Sequence, residues 1–157
     1  MIAREYMEIA LQEAELAIKH GDVPVGALIV RKDEIIAKAH NEVEASNDAL
    51  AHSELLVLRA AMQKLGTKHL QDCELYVTLE PCAMCAGAIV LARINRVYIG
   101  ADDPKMGASG SVYNILQDER LNHRCEVYHN ITHDKCSKLL SDFFEELRNN
   151  RKIKYDE

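Results

Sequence analysis

The stretch that decides the fold is ELYVTLEPCAMCAGAIVLARINRVYIGA, residues 74–101. Its first part, ELYVTLE, predicts a strand, CAMCAGAIVLARI predicts a helix, and RVYIGA predicts a second strand. A helix that connects two strands in this order is typical of a parallel pair within one sheet. The stretch therefore predicts an α/β fold.

The sequence on either side of this stretch supplies more helices and strands. Upstream, helical spacing of apolar residues predicts a first helix that ends near His20, and VGALIV, a polar turn and IIAKAH predict a hairpin. A second helix is predicted from about Ala51 to Leu65. Downstream, VYNILQDE predicts a short helix, CEVYHNI an edge strand and residues from about 134 to 151 a last helix. We therefore predict a three-layer α/β/α sandwich with helices on both faces of a mixed five-stranded sheet.

The length and composition are those of one globular domain. With 157 residues and 48% hydrophobic content, the chain can bury a sizeable core, and no linker or repeat divides it. No apolar run approaches the length of a bilayer span, and the N-terminal segment MIAREYMEIALQEAE carries acidic residues where a leader would be apolar. We expect a cytoplasmic protein with no membrane partner.

The charge distribution is uneven along the chain. A formal net charge of -6 argues weakly against a nucleic-acid partner, because phosphate binding usually leaves a basic surface. The C-terminal segment RNNRKIKYDE nevertheless has four cations within seven residues, and LNHRC contributes Arg124 beside His123. Such cations are most often solvated helix ends, and local basic patches are the alternative.

The cysteines do not form the pattern of a small disulfide-bonded domain. Their number is odd, and they are scattered at positions 73, 82, 85, 125 and 136. The close pair, Cys82 and Cys85, follows Pro81, a residue that suits the first position of a helix. A helix N-terminus favours thiolates, and this spacing places both sulfurs on one face. The pair therefore predicts a redox dithiol, a four-ligand structural zinc site or a three-ligand catalytic zinc site.

A second segment, AHSE, adds the residues that a catalytic zinc site needs. No second close cysteine pair exists, which disfavours the structural site, whereas His52 would complete a set of three ligands. Glu54 would then be available as an acid and base. A histidine at a helix start is more often a packing or capping residue, and residues two apart on a regular helix point to nearly opposite sides. His52 and Glu54 can therefore converge only if His52 lies at an irregular helix start.

Together, HSE and PCAMC fill the H-x-E and P-C-x-x-C signature of zinc-dependent nucleoside and nucleotide-base deaminases. The segments VPVGALIV, AHN, LYVTLEPCAMCAGAIVLARI, VYIGADDPK, GASGS, LNHR and LLSDFF extend the resemblance to the bacterial tRNA-specific adenosine deaminases, over residues from about 6 to 152. The resemblance implies a sandwich of the cytidine deaminase type. It also implies a single zinc-dependent deaminase domain over residues 1–157, with a C-terminal helix from about 134 to 151 and a basic tail.

The same resemblance implies a hydrolase that acts on a cyclic amidine carbon–nitrogen bond and converts the wobble adenosine of a tRNA anticodon stem-loop to inosine. Glu54 is the implied catalytic proton shuttle, and a homodimer with one Zn²⁺ per subunit is the implied assembly. The implied zinc ligands are His52, Cys82 and Cys85; the substrate-binding residues are Asn41, Asp103 and Lys105; and the possible RNA contacts are His123, Arg124, Phe144, Arg148, Arg151 and Lys152.

The chain departs from the family pattern at a few positions. The family usually has Ala where Ser53 stands, and we expect Ser53 to face away from the metal with little effect on the chemistry. The family often has Pro-Thr where Ala49 and Leu50 stand, and these two residues could alter the fit of the bound nucleotide.

Three alternatives remain open from the sequence. A deaminase of a free base or small nucleotide, such as guanine, cytosine or deoxycytidylate, would show no dependence on RNA. A nonenzymatic, zinc-stabilised RNA-binding module would have no use for Glu54. A redox role for Cys82 and Cys85 would be indifferent to loss of His52.

Overall fold

The computed structural model describes the backbone of residues 1–156 and the side chains of residues 1–151. The last helix is longer than predicted, since it begins at His133 and continues to Asp156. None of the helices formed by these residues has the length and apolar sequence that crossing a bilayer requires. The elements are α1 (Ala3–Ile18), β1 (Gly26–Arg31), β2 (Glu34–His40), α2 (Val43–Ser46), α3 (Ser53–Leu65), β3 (Cys73–Leu79), α4 (Ala83–Leu91), β4 (Arg96–Ala101), β5 (Glu126–Tyr128) and α5 (His133–Asp156).

The five strands form one mixed sheet, as predicted, and their order in it is β2-β1-β3-β4-β5. Strand β1 is antiparallel to both β2 and β3, whereas β3, β4 and β5 run parallel to one another. The turn between β1 and β2 places Lys32 and Asp33 in the left-handed region, with φ of 50° and 63°. A two-residue turn of this kind matches the twist of a tight hairpin.

Helices cover both faces of the sheet, which confirms the three-layer sandwich. Helices α1 and α5 share one apolar cluster with the sheet, and α3 and α4 share the other. Gly26 allows α1 to lie directly on β1, because a Cβ at this position would overlap the carbonyl oxygen of Ala10. The α3 and α4 layer is the one that positions the candidate site.

The short helix expected after β4 is not formed. Residues 112–119, VYNILQDE, form turns, because their backbone groups bond to neighbouring segments: Ile115 N–H donates to Ala108 and Leu116 C=O accepts from Cys125. Among the described side chains of α5, Cys136, Leu139 and Leu140 pack on the core. Phe144, further along the helix, is 41% exposed.

Candidate active site

The candidate site lies where the N-termini of α3 and α4 meet. His52 is the N-cap of α3, with φ of -76° and ψ of 145°, and Cys82 is the N-cap of α4, with φ of -72° and ψ of 175°. Pro81 therefore precedes the N-cap. The sequence had suggested that it was the first helical residue, and this was wrong. Because His52 has extended backbone just before the helix, α3 has the irregular start that convergence of His52 and Glu54 requires.

The side chains of His52, Cys82 and Cys85 form a compact cluster of three donor atoms. The Nδ1 atom of His52 lies 3.6 Å from Sγ of Cys82 and 3.5 Å from Sγ of Cys85. All three donor atoms lie within 4.8 Å of one another. Zinc bonds of about 2.0 Å to nitrogen and about 2.3 Å to sulfur would place tetrahedral N and S ligands about 3.5 Å apart. The cluster therefore fits a metal ion of this kind.

The two thiols of the cluster differ in pKa. Hydrogen bonds from Cys85 and His52, the former contributing more, lower the pKa of Cys82 to about 4 in spite of its partial burial. The same Cys85–Cys82 hydrogen bond, together with burial, raises the pKa of Cys85. The hydrogen bond to Cys82 also raises the pKa of His52. Without a metal, the cluster therefore holds one thiolate, which the positive ends of two helices favour.

The three remaining cysteines are buried thiols of the core. Burial raises the pKa of Cys73 to about 11, and that of Cys125 and Cys136 to about 12. None of the five cysteines forms a disulfide bond. Cys82 is therefore the one cysteine held as a thiolate near neutral pH.

Glu54 is a buried carboxylate beside the cluster. It is 4% exposed, and burial raises its pKa. The Ser53 hydroxyl donates to its Oε1 atom at 2.6 Å, an interaction that acts in the opposite direction on the pKa. This direct contact between Ser53 and the candidate proton shuttle was not expected from the sequence.

Asn41 is tied to the start of α3. Its Oδ1 atom accepts a hydrogen bond from the backbone N–H of Ser53 at 2.8 Å, and the residue is 9% exposed. Since Oδ1 faces this backbone donor, the amide nitrogen points away from it and can donate to another group. This fixed orientation could not be deduced from the sequence.

Asp103 and Lys105 lie in the loop that follows β4. The Oδ1 atom of Asp103 accepts the backbone N–H groups of Lys105 and Met106, each at 3.1 Å. Asp103 is half-buried and Lys105 is exposed. The sequence analysis missed Glu80, whose buried carboxylate accepts hydrogen bonds from this loop. The available signal was an acidic residue at the end of a buried strand, just before the cysteine pair.

The possible RNA contacts lie on the loop before β5 and on α5, and none of the described ones hydrogen-bonds to the cluster. His123 is half-buried, and its Nε2 atom lies 2.6 Å from the carbonyl oxygen of Ile94, so that nitrogen has a structural role. The side chain of Lys152 lies outside the described residues. The exposed members of the set are Arg124, Phe144, Arg148 and Arg151.

Comparison with known proteins identifies the family. Residues 1–148 match the MafB19-like deaminase family. A tRNA-specific adenosine deaminase of Bacillus subtilis is 50% identical over 94% of this chain and 91% of its own length, and one of Aquifex aeolicus is 50% identical over 95% and 99%. A solved structure from a study of A-to-I editing by tRNA:A34 deaminases superimposes with a TM-score of 0.83 at 41% identity, covering 87% of this chain and 99% of that one. The chain therefore belongs to the family of tRNA-specific adenosine deaminases.

Proposed function

We propose that this protein hydrolyses adenosine to inosine at the wobble position of a tRNA anticodon. The observation that carries the proposal is the cluster of His52, Cys82 and Cys85 beside the buried carboxylate of Glu54. A purely structural metal site has no use for such a carboxylate, whereas hydrolysis needs a group that moves protons. Membership of the family supports adenosine in tRNA as the substrate.

Zn²⁺, one per subunit, is the proposed cofactor, held by His52, Cys82 and Cys85. Two sulfur ligands and one imidazole suit zinc, and three protein ligands leave a fourth position open. When bound, zinc supplies a water that is acidic enough to react near neutral pH. The extended backbone at the two N-caps presents Nδ1 of His52 toward both sulfurs, an arrangement that suits three ligands of one metal ion.

Glu54 is the proposed catalytic acid and base. Its carboxylate would accept the proton of the attacking water, deliver it to a ring nitrogen of adenine and then help protonate the departing ammonia. Because burial raises its pKa, the carboxyl group holds a proton more readily than an exposed glutamate, which suits a group that must also act as an acid. The Ser53 hydroxyl donates to Oε1 of this carboxylate and helps to orient it.

The proposed contacts to the nucleotide come from three residues. The amide nitrogen of Asn41 is oriented to donate to an acceptor nitrogen of the buried base, because its Oδ1 is held by Ser53. Asp103 would accept a hydrogen bond from the ribose 2′-hydroxyl through the carboxylate oxygen that does not bind the loop, which would favour RNA over DNA. Lys105 is exposed on the same loop and would approach the phosphates.

A tRNA anticodon stem-loop is the proposed macromolecular partner. Its unstacked bases can enter a pocket without the opening of a duplex, which avoids most of a cost of a few kcal/mol. The exposed cations Arg124, Arg148 and Arg151 are proposed phosphate contacts, and Phe144 and His123 are proposed to lie against the RNA. Lys152 belongs to the same proposal from the sequence alone. We place this reaction in the cytoplasm, where the chain would meet tRNA.

A homodimer is the proposed assembly. The outer surfaces of α3 and α4 enclose a groove lined largely by apolar side chains, among them Leu55, Met62 and Ala88. Leu91 at its edge is 77% exposed and extends the apolar surface of this groove, and contiguous apolar surface is typical of protein interfaces. A second copy of the chain would cover this face.

The experiment that tests the proposal supplies an anticodon stem-loop carrying adenosine at the wobble position. Zinc-loaded protein is incubated with this RNA, and with adenine, guanine, cytosine and deoxycytidylate in separate reactions, while base conversion is followed by mass spectrometry. We expect inosine in the RNA and no conversion of the small molecules. Turnover of a small molecule alone would contradict RNA as the substrate. Retention of RNA without ammonia release would contradict an enzymatic role.

A further inference from the structure

Glu80 is a buried carboxylate that the proposed chemistry does not use. It directly follows β3, precedes the cysteine ligand Cys82 by two residues and is 2% exposed. Burial of a charged group is costly unless hydrogen bonds replace the lost water. The partners of this carboxylate therefore indicate what the residue does.

All the hydrogen-bond partners of the Glu80 carboxylate come from the loop of residues 102–111. Oε1 accepts from the backbone N–H of Asp103 at 3.1 Å and from the hydroxyl of Ser111. Oε2 accepts from the backbone N–H groups of Ser109 at 2.9 Å and Ser111 at 3.1 Å. An ionised carboxylate has about four acceptor positions, and these four donors fill them. One side chain thus binds both ends of the loop.

The middle of the loop packs directly against the same carboxylate, at Gly107. A Cβ at Gly107 would overlap the Glu80 carboxylate, so only glycine allows this approach. Next to it, the Ala108 N–H donates to the Pro81 carbonyl at 2.8 Å, and Gly107 forms an isolated bridge with Cys82. Gly107, Ala108 and Ser109 thus bind in turn to Cys82, Pro81 and Glu80, so three successive loop residues are attached to the junction between β3 and α4.

We propose that Glu80 is a positioning residue that fixes the substrate-bordering loop, and with it Asp103 and Lys105, relative to the cluster of His52, Cys82 and Cys85. The backbone N–H of Asp103 is one of the four donors, so the Glu80 carboxylate fixes the backbone from which the Asp103 side chain projects. Glu80 makes no proton transfer in this scheme, because all its acceptor positions are occupied. The inference rests on the proposed function, in which this loop contacts the nucleotide.

The variant Glu80→Gln tests the inference. Glutamine has the same shape, but its NH₂ group would face backbone N–H donors, so the loop should loosen while the strand and helix remain. We expect the backbone amides of Ser109 and Ser111 to exchange with solvent faster, as measured by NMR. On the RNA stem-loop, kcat/KM should fall on the order of 10- to 100-fold, mainly through KM, because the lost bonds involve a charged acceptor. Zinc content should equal that of the wild type.

Two further variants make the test specific. Glu74→Gln removes a carboxylate that lies within β3 and bonds to Tyr76 and Arg96, and it should leave exchange and kinetics unchanged. Ser111→Ala removes one donor only, so its effect should be smaller, and adding it to Glu80→Gln should have little further effect. Should Glu80→Gln fail to fold, faster exchange of the loop in Ser111→Ala would support the inference, and unchanged exchange would overturn it.

The outcomes distinguish this inference from the proposed function. Wild-type exchange and wild-type KM in Glu80→Gln would overturn the positioning role, and so would loss of zinc without a change in loop exchange. A wild-type protein that does not deaminate the stem-loop would contradict the proposed function instead. In that case the exchange rates of Ser109 and Ser111 would still decide whether Glu80 holds the loop.

Discussion

At the scale of single residues, two features of its surroundings lower the pKa of the Cys82 thiol. It is the N-cap of α4, where the helix dipole favours a negative charge, and it receives hydrogen bonds from Cys85 and His52. The three cysteines outside the cluster are neither N-caps nor partners of His52, and burial keeps them neutral by raising their pKa. The fold therefore favours the ionised form of the Cys82 thiol.

The pKa difference predicts a selective reaction in the metal-free protein. With a pKa of about 4, Cys82 is a thiolate throughout pH 5 to 8, so its alkylation by iodoacetamide should change little over this range and fall only as the pH drops through about 4. Cys73, Cys125 and Cys136 should stay unmodified and serve as internal controls. Peptide mass spectrometry measures each site, and zinc should protect Cys82. A rate that rises about tenfold per pH unit between pH 6 and 8 would show an ordinary thiol.

At the scale of elements, the sequence predicted the helices and strands whose residue pattern lies within one short stretch of chain. The run VGALIV and the turn after it predicted the hairpin of β1 and β2, and the strand–helix–strand order of residues 74–101 predicted the parallel pair of β3 and β4. The prediction of a helix over residues 112–119 was wrong because an apolar pattern does not reveal that backbone groups bond to neighbouring segments. The prediction that Pro81 begins the helix was wrong because Pro81 lies between the end of β3 and Cys82, which is the N-cap of α4.

The candidate site was predictable only where a short signature names its residues. His52, Glu54, Cys82 and Cys85 were named in this way, and the structure places the three candidate metal ligands together. The contact of Ser53 with Glu54, the bond from Ser53 N–H to Asn41 and the partners of Glu80 were not found. Each of these contacts depends on how a loop or helix end is oriented in space, and that information is absent from residue spacing.

The loop after β4 allows a prediction about the choice of sugar. The variant Asp103→Asn keeps an Oδ1 atom that can accept from Lys105 and Met106, so the loop should keep its shape. It loses the charged acceptor proposed for the ribose 2′-hydroxyl, and the ratio of kcat/KM for RNA to that for a DNA stem-loop should fall about tenfold.

The neighbouring exposed carboxylate provides the control for this experiment. Asp102→Asn should leave the RNA to DNA ratio unchanged, since Asp102 lies beside His129 and not at the folded turn of the loop. If Asp103→Asn also leaves the ratio unchanged, Asp103 does not read the sugar.

At the scale of the whole molecule, the apolar face of α3 and α4 predicts the assembly. The variant Leu91→Glu places a charge on this face and should convert a dimer into a monomer in sedimentation experiments. Because Leu91 is 77% exposed in the single chain, the change should not unfold the monomer. Leu16→Glu, on the opposite face of the sheet and 39% exposed, is the control and should remain dimeric. A Leu91→Glu protein that stays dimeric would place the interface elsewhere.

The whole account depends on Glu54 acting as the proton shuttle at the metal-binding cluster of a deaminase. The most direct test compares Glu54→Gln with the wild type, and with Glu15→Gln as an exposed control, in the formation of inosine within the wobble-adenosine stem-loop. Zinc content is measured on the same samples. We predict that Glu54→Gln retains zinc and loses at least about a hundredfold in rate, while Glu15→Gln matches the wild type. A Glu54→Gln protein that holds zinc and forms inosine at the wild-type rate would contradict the account.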